Sequence, residues 1–392
     1  MDAWGAESGA AKCLRIVASV RSPATMNLSG LIFSLAVLGL IAASGSATHK
    51  VTGTGNLPTI FILGAQKGGS SSLFEFLLEH PLLCQGTHKE PHFFDDPTTY
   101  GWAKHEYDVG TIPEREKYLA LFPGDPKCDK KHVDYKYIDA TTMCYQSALA
   151  SKAIFDFYSP SERNLLKFIV VLREPVSRDY SWYEQVARDH LGGNPNMRGG
   201  GGGVPQPFSS LETFKEADAH KSRHIRRSGR YFEQLGNVTR YFRRDQLFVL
   251  SSSMMFRNTS MVMSNLAKFL GLEEIPKWKE QLPHDDHLGR KSWTGIVDCI
   301  VSHIPKLDCS YRDQLGDYYR PFNQALYAWL NATQSLASPY EPPFVQFGDD
   351  YKKLPCVQDA RKAFNDLVKS DTKTSCKATV QRRALASGRP QR

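Results

Sequence analysis

The chain has 392 residues, 41% of them hydrophobic and 23% charged, with a formal net charge of +8. That length and balance suit one large α/β domain with appendages, or two small domains, and exclude a disordered protein. The positive balance suits an anionic ligand, whether nucleotide, sulfated glycan or nucleic acid, without choosing among them.

Residues 1–25 carry Lys12, Arg15 and Arg21 and read as a cytoplasmic tail. The apolar run Leu28 to Ala43, "LSGLIFSLAVLGLIAA", meets no charge until His49 and Lys50. Taken as 26–47, it reaches the roughly 17 to 25 residues of a spanning helix. Basic residues before it and few after predict a type II signal anchor in the membrane, with a lumenal body. A cleaved signal peptide and a secreted chain are the competing reading, because "SGSAT" (Ser44 to Thr48) offers small residues at a cut. Residues 48–57 read as a stem, 58–335 as the folded domain, and 336–392 as a C-terminal extension, partly disordered because it is polar and basic.

The first strand is "TIFIL", Thr59 to Leu63. It runs into "GAQKGGSSSLFEFLLEHP", Gly64 to Pro81, whose helix is predicted over Ser70 to Glu79. Gly64 and Gly69 have the spacing of an ATP-binding P-loop, but Ser70 stands where that motif has its lysine, and Lys67 lies inside the turn. Backbone amides at such a helix start surround an anion. Lys67 can follow negative charge developing on a leaving group. A glycine turn with a solvated lysine is the plainer alternative. Next comes "THKEPHFFD", Thr87 to Asp95. Pro91 biases Glu90 to an extended conformation, and in a strand Glu90 and His92 share a side. Phe93 and Phe94 would bury the segment, which makes Glu90 a candidate general base against an apolar wall. An edge strand with solvated charges is the alternative.

"KFIVVL", Lys167 to Leu172, reads as a parallel strand buried on both faces. It enters "REPVSRDYSWYEQVARDH", Arg173 to His190, where Pro175 suits the first turn of a helix. Arg173 and the Ser181 hydroxyl form a fork-plus-hydroxyl site for a terminal phosphate, or else Arg173 makes an ordinary surface pair with a glutamate. Asn194 to Phe208 is a glycine-rich insertion. Arg223, Arg226, Arg227 and Arg230 share one helix face, flanked by Lys221, Arg240, Arg243 and Arg244. That face is either simply solvated or a track for a polyanionic glycan. A third strand is predicted at Gln246 to Leu250, and a helix over Asn258 to Leu272 stopped by Gly271. This order of strands and helices predicts an α/β fold with a parallel sheet, with ligands at the carboxyl ends of the strands.

Asn-x-Ser/Thr sequons stand at Asn237, Asn258 and Asn331, all after the apolar run. Seven of the eight cysteines also follow it. Cys299 with Cys309, Cys356 with Cys376, and Cys128 with Cys144 are candidate pairs, and Cys84 a candidate buried thiol. No Cys-x-x-Cys pair and no His/Cys spacing suggests zinc, so disulfides in an oxidising lumen are expected and a metal is not.

Together "FILGAQKGGSSSLFEFLLEHP", "KEPHFFD" and "VVLREPVSRDYSWY" resemble the Golgi carbohydrate sulfotransferases, in particular their heparan sulfate 3-O-sulfotransferase and N-sulfotransferase branch. The resemblance covers roughly residues 58 to 335. It implies a P-loop-like three-layer fold with a central parallel sheet flanked by helices. It also implies 3′-phosphoadenosine 5′-phosphosulfate (PAPS) as sulfuryl donor, its product PAP, and no metal. Lys67 would then stabilise the bridging oxygen, and Gly68, Gly69, Ser70, Ser71 and Ser72 would line the 5′-phosphosulfate. Glu90 falls at the catalytic base and His92 at a neighbouring active-site histidine. Arg173 and Ser181 would bind the 3′-phosphate, and Ser228, Gly229 and Tyr231 fit the helix that follows. Cys299 and Cys309 fall where that branch has a disulfide-closed loop. Two departures concern the acceptor more than the donor. "DATTMCY", Asp139 to Tyr145, has Ala140 where the family has a lysine, and the family's lysine-glycine-arginine run is missing, with Arg290 and Lys291 of "GRK", or Arg312, in its stead. The acceptor, an anionic or neutral polysaccharide, is assigned to Lys89, Asp139, Arg226 and Arg227.

The leading reading is therefore a membrane-anchored, lumenal Golgi enzyme that sulfates a glycan. A kinase or other NTPase is disfavoured by the displaced lysine. A non-catalytic glycan- or PAP-binding relic need keep neither Lys67 nor Glu90. Nucleic acid is not an expected partner. Acceptor sugar, O- versus N-sulfation and oligomeric state are left open.

Overall fold

The computed structural model describes residues 57–94, 112–123, 135–142, 148–192, 229–275, 278 and 306–369. The predicted anchor at 26–47, the glycine-rich insertion, Arg223, Arg226, Arg227, Ser228, Arg290, Lys291 and Cys299 lie outside the described residues. Among the described residues no helix is long and apolar enough to cross a membrane.

Five strands form one parallel sheet in the order β2-β3-β1-β4-β5. They are β1 (Ile60–Gly64), β2 (Leu83–Gln85), β3 (Lys136–Asp139), β4 (Lys167–Leu172) and β5 (Leu247–Ser251). Each is apolar on both faces, and the two sets of side chains go to different cores. Phe61 and Leu63 of β1, with Phe168, Val170 and Leu172 of β4 and Leu247 and Val249 of β5, enter one core. Ile60, Ile62, Ile169, Val171, Phe248 and Leu250 enter the other. This is the period-two alternation of a strand covered on both sides.

On the first face lie α2 (Ile112–Ala120), α3 (Ala148–Phe157) and α6 (Tyr231–Thr239), joined by the end of the long α9 (Cys309–Ala332). On the second lie α1 (Ser70–Leu77), α7 (Ser252–Arg257) and α8 (Thr259–Leu270). Between these come the single-turn α4 (Pro160–Arg163), boxed by Ser159 and Glu162, and α5 (Pro175–Gly192). The expected three-layer fold is thus present, with β4 over the predicted residues and Gly271 closing α8 at φ 64°.

The connections from β1 run to one side of the sheet and those from β4 to the other, which makes the β1–β4 crevice the topological switch point. A register shift between Ile62 and Gly64 bends β1 there, and Ala65 N donates to Val171 O at 2.8 Å.

Part of the polar C-terminal extension, as far as residue 369, is built into regular structure. β6 (Leu307–Asp308) pairs in parallel with β7 (Cys356–Val357), and α10 (Ala360–Lys369) follows. Tyr351 packs under Tyr311, Leu315 and Tyr319 of α9 and Val176, Tyr180 and Tyr183 of α5. Cys309 is bonded to Cys356, with Cα atoms 4.9 Å apart. This corrects the expected pairings Cys299–Cys309 and Cys356–Cys376. The physical reason is the small sheet, in which Leu307 registers with Cys356 and brings the first residue of α9 beside β7. Cys84 is likewise disulfide-bonded rather than a free thiol.

Candidate active site

The turn after β1 is built by close packing. A Cβ on Gly68 would stand 2.4 Å from Val171 O and 2.8 Å from Ala65 O, so only glycine lets the turn close onto β4. Gly69 is the N-cap of α1 at φ 106°, a conformation that L side chains rarely adopt. Lys67 is also left-handed, at φ 66°, a strain of about 1–3 kcal/mol that clusters at functional turns. No side chain caps α1, and its first turn holds no acidic residue. The amides of Ser70, Ser71 and Ser72 therefore have no preceding helical turn to bond, and the helix dipole favours an anion there. These features fit a phosphate or sulfonate group.

Two side chains converge on the turn from α5. Lys67 Nζ donates to Gln185 Oε1 at 2.7 Å. Arg178, fully buried, donates from Nε to Gln66 O at 3.1 Å. Its guanidinium also pairs with Asp179 Oδ1 at 2.7 Å, and Tyr319 of α9 donates to Asp179 Oδ2 at 2.5 Å. Burial pushes the Asp179 carboxyl up to about 6, against the opposing pull of Arg178 and the Tyr319 hydrogen bond. Burial is the largest single influence on Arg178 and opposes its charge, but Asp179, Tyr231 and Tyr319 together outweigh it and raise the guanidinium.

Arg173 leaves the carboxyl end of β4 half-buried. Its NH1 lies 3.5 Å from Lys67 O, and Tyr231 donates to its carbonyl at 2.6 Å. Burial lowers the Arg173 pKa from its ordinary value. The neighbouring Glu174 is committed to capping α5, since its oxygens accept from Val176 N at 2.9 Å and from Ser177 N and Oγ at 2.7 Å each. The Glu174 oxygens are thus spent on the start of α5, while the Glu174 charge still favours the Arg173 guanidinium beside the turn. Ser181, half-buried on α5, stands two turns further on.

The third motif approaches from β2. Phe93 and Phe94 are buried against Tyr118 and Phe157, as expected. The segment is not a strand, however, and His92 adopts φ 55°. Ala140 N donates to Lys89 O at 3.1 Å and His92 N to Thr141 Oγ1 at 3.2 Å, so the chain turns around the end of β3. Glu90 does not face an apolar wall. Its Oε1 accepts from Lys89 Nζ at 2.7 Å, its Oε2 from Thr142 Oγ1 at 3.3 Å, and His92 Nε2 is 3.9 Å from Oε2. Lys89 Nζ also donates to Ser71 Oγ at 3.0 Å, which joins the Glu90 segment to the Gly69 turn.

Other expectations change. Asp139 is buried, accepting from Tyr118 OH at 2.8 Å and Thr141 N at 2.9 Å, so it shapes the end of β3 rather than meeting an acceptor. Arg312 is spent on the carbonyls of Lys352 and Leu354, at 3.2 and 2.9 Å, and does not replace the missing basic run. Of the basic residues around 221–244, Arg230 precedes α6 and donates to Tyr318 OH, and Arg244 forks onto Glu341 in the interior. Neither belongs to an open basic face. Asn258 and Asn331 are exposed and Asn237 is half-buried. Among the described residues no cluster could hold a metal ion.

Residues 57–284, more than half of the chain, match the sulfotransferase domain family. The chain belongs to that sulfotransferase family. It is 25% identical over 290 residues to the bifunctional heparan sulfate N-deacetylase/N-sulfotransferase 1 of Caenorhabditis elegans, covering 70% of this chain and 30% of that protein. It is 27% identical over 294 residues to the heparan sulfate glucosamine 3-O-sulfotransferase 3B1 of Mus musculus, covering 72% of this chain and 65% of that one. The chain thus spans less than two thirds of either relative. A crystal structure of a sulfotransferase from Alicyclobacillus acidocaldarius superposes with TM-score 0.49 at 21% identity, over 70% of this chain and 96% of that one. The sulfotransferase match ends before α9, yet α9 supplies Tyr319 to the buried group behind the turn.

Sequence reasoning missed Gln185, Thr142 and the Arg178–Asp179–Tyr319 group. A signal existed for two of them. Gln185 is one helical turn beyond Ser181, and Arg178 lies inside the quoted "REPVSRDYS". Nothing in the sequence pairs Tyr319 with Asp179.

Proposed function

We propose that the chain transfers a sulfuryl group from PAPS to a hydroxyl or amine of a glycan, with Glu90 as general base. The carrying observation is that three motifs separate in sequence meet at one end of the sheet, with Lys89 bonded to both Ser71 of the donor turn and Glu90. In this reading Gly68, Gly69 and Ser70 to Ser72 surround the 5′-phosphosulfate, while Arg173 and Ser181 hold the 3′-phosphate. The acceptor oxygen or nitrogen attacks sulfur in line, the bond from sulfur to the phosphate oxygen breaks, and its electron pair stays on that oxygen. Glu90 takes the acceptor proton, and Lys67 steadies the charge on the leaving phosphate. Positioning and electrostatics supply most of the acceleration, as in phosphoryl transfer. His92 stands beside Glu90, its Nε2 3.9 Å from Oε2, as the neighbouring histidine of the site.

The heparan sulfate relatives support a glycan acceptor, with Arg226 and Arg227 as candidate contacts and Arg290 and Lys291 as candidate donor contacts. The apolar run at 26–47 supports a Golgi membrane anchor with residues 58–335 in the lumen, and the sequons support glycosylation there.

The test incubates the chain from Thr48 onward, secreted from eukaryotic cells, with PAPS labelled in the sulfuryl group and a panel of native and desulfated polysaccharides. Label should pass to at least one polymer, and Glu90→Gln and Lys67→Ala should each lose the transfer. Transfer that survives both substitutions would overturn the reading.

A further inference from the structure

The sequence assigned Lys89 to the acceptor, and the sulfuryl-transfer steps above give its ammonium no task. It sits at the seam of the site, 3.0 Å from Ser71 Oγ and 2.7 Å from Glu90 Oε1. Adjacent side chains on an extended chain point apart, so a contact between residues 89 and 90 needs the backbone to be held for it. It is held here by the Ala140 N to Lys89 O bond and by the left-handed turn at His92. Lys89 and Glu90 are also only 24% and 27% exposed, which separates them from a freely solvated surface pair. Ser71 is the second residue of α1, in the first turn whose amides have no helical partner. The ammonium is therefore already at the rim of the place assigned to the sulfonate.

We propose that Lys89 reads the sulfonate: its ammonium passes from the Glu90 carboxylate to the sulfuryl oxygens when the donor binds, and so releases the base only when the donor is loaded. The proposal rests on the donor assignment made above. A lysine suits the task, because its compact charge on a flexible stem can change partners with small rotations, whereas a guanidinium fork would bind the carboxylate too rigidly. The chemistry is unchanged by the exchange. The acceptor–sulfur bond forms, the sulfur–phosphate oxygen bond breaks with its electrons on the phosphate, and the acceptor proton goes to the freed Glu90.

PAPS and PAP differ by that sulfonate, which gives a test that a structural role does not mimic. Both ligands are titrated into the wild-type chain and into Lys89→Met, Lys89→Arg and Glu90→Gln. Lys89→Met should weaken PAPS about tenfold and leave PAP within twofold, while Lys89→Arg retains part of the preference for PAPS. Glu90→Gln should tighten PAPS a few fold, because no competing ion pair has to open, and that gain should vanish in the Lys89→Met/Glu90→Gln chain. Equal weakening of PAPS and PAP, or no weakening of either, would overturn the role of Lys89. A wild-type chain that binds neither ligand would instead overturn the donor site, and this role with it. Melting temperatures of the variants identify any that has lost its fold, and Lys89→Arg then carries the comparison.

Discussion

Arg178 Nε donates to the carbonyl of Gln66 at 3.1 Å, so a fully buried guanidinium holds the Lys67 turn from behind. The same guanidinium is neutralised by Asp179, and Asp179 by Tyr319 from α9. The turn is thereby tied to a helix more than a hundred residues away in sequence.

Removing one partner of this buried pair leaves the other charge uncompensated. Arg178→Met should cost about 3–5 kcal/mol of stability. Adding Asp179→Asn should recover part of the loss, because the orphaned carboxylate is then gone. Urea unfolding of the two single variants and the double variant measures the coupling. Strictly additive losses would mean that the pair does not act as a unit.

The titration of Asp179 predicts a pH dependence. Its folded pKa, about 6, lies above its ordinary 3.8, so between those values the native chain holds a proton that the unfolded chain has released. Its contribution to stability is thus fully present at low pH and is lost as pH rises through about 6, at up to roughly 1.4 kcal/mol per pH unit. Asp179→Asn lacks this loss. The stability of the wild type relative to Asp179→Asn should fall between pH 4 and 6.5, and a difference that rises over that range would contradict the burial argument.

The Cys309–Cys356 bond closes a separation of 47 residues around α9. A loop of that size restrains the unfolded chain by about 4 kcal/mol in the chain-entropy view. Cys356→Ser should lower the unfolding midpoint accordingly. Peptide mapping without reduction should recover Cys309 with Cys356, and recovery of Cys309 with Cys299 would refute the pairing.

Gln185 Oε1 holds the Lys67 ammonium at 2.7 Å. In Gln185→Leu that contact is lost while the turn and Arg173 are untouched. Turnover should drop about tenfold, near 1.4 kcal/mol in the barrier, with PAP affinity changed far less. Steady-state kinetics beside PAP titration separates the two, and an equal fall in both would make Gln185 part of the binding cradle instead.

The sheet was legible because both faces are covered. "KFIVVL" admits little but a buried strand, and the structure places β4 on those six residues. The stretch "KEPHFF" was read too simply. Pro91 suggested an extended segment with Glu90 and His92 on one side, but His92 turns left-handed, so Glu90 meets Lys89 and Thr142 rather than a wall of phenylalanine. The disulfide was misread because pairing follows proximity in space. Cys356 comes beside Cys309 only when β6 and β7 pair, and two-residue strands leave almost no sequence pattern. Arg178 stood in a quoted motif, but its burial depends on Asp179 and Tyr319 together, which no local spacing encodes.

The most direct measurement is calorimetric titration of PAP into the chain from Thr48 onward, beside Arg173→Ala and Lys67→Ala. One PAP should bind per chain. Arg173→Ala should weaken binding about 10- to 100-fold, the worth of charge-assisted bonds to a phosphate, in a chain that keeps its melting temperature. Binding that ignores Arg173 and Lys67, or no binding by the folded wild type, would contradict the assignment of the β1–β4 crevice to the sulfuryl donor.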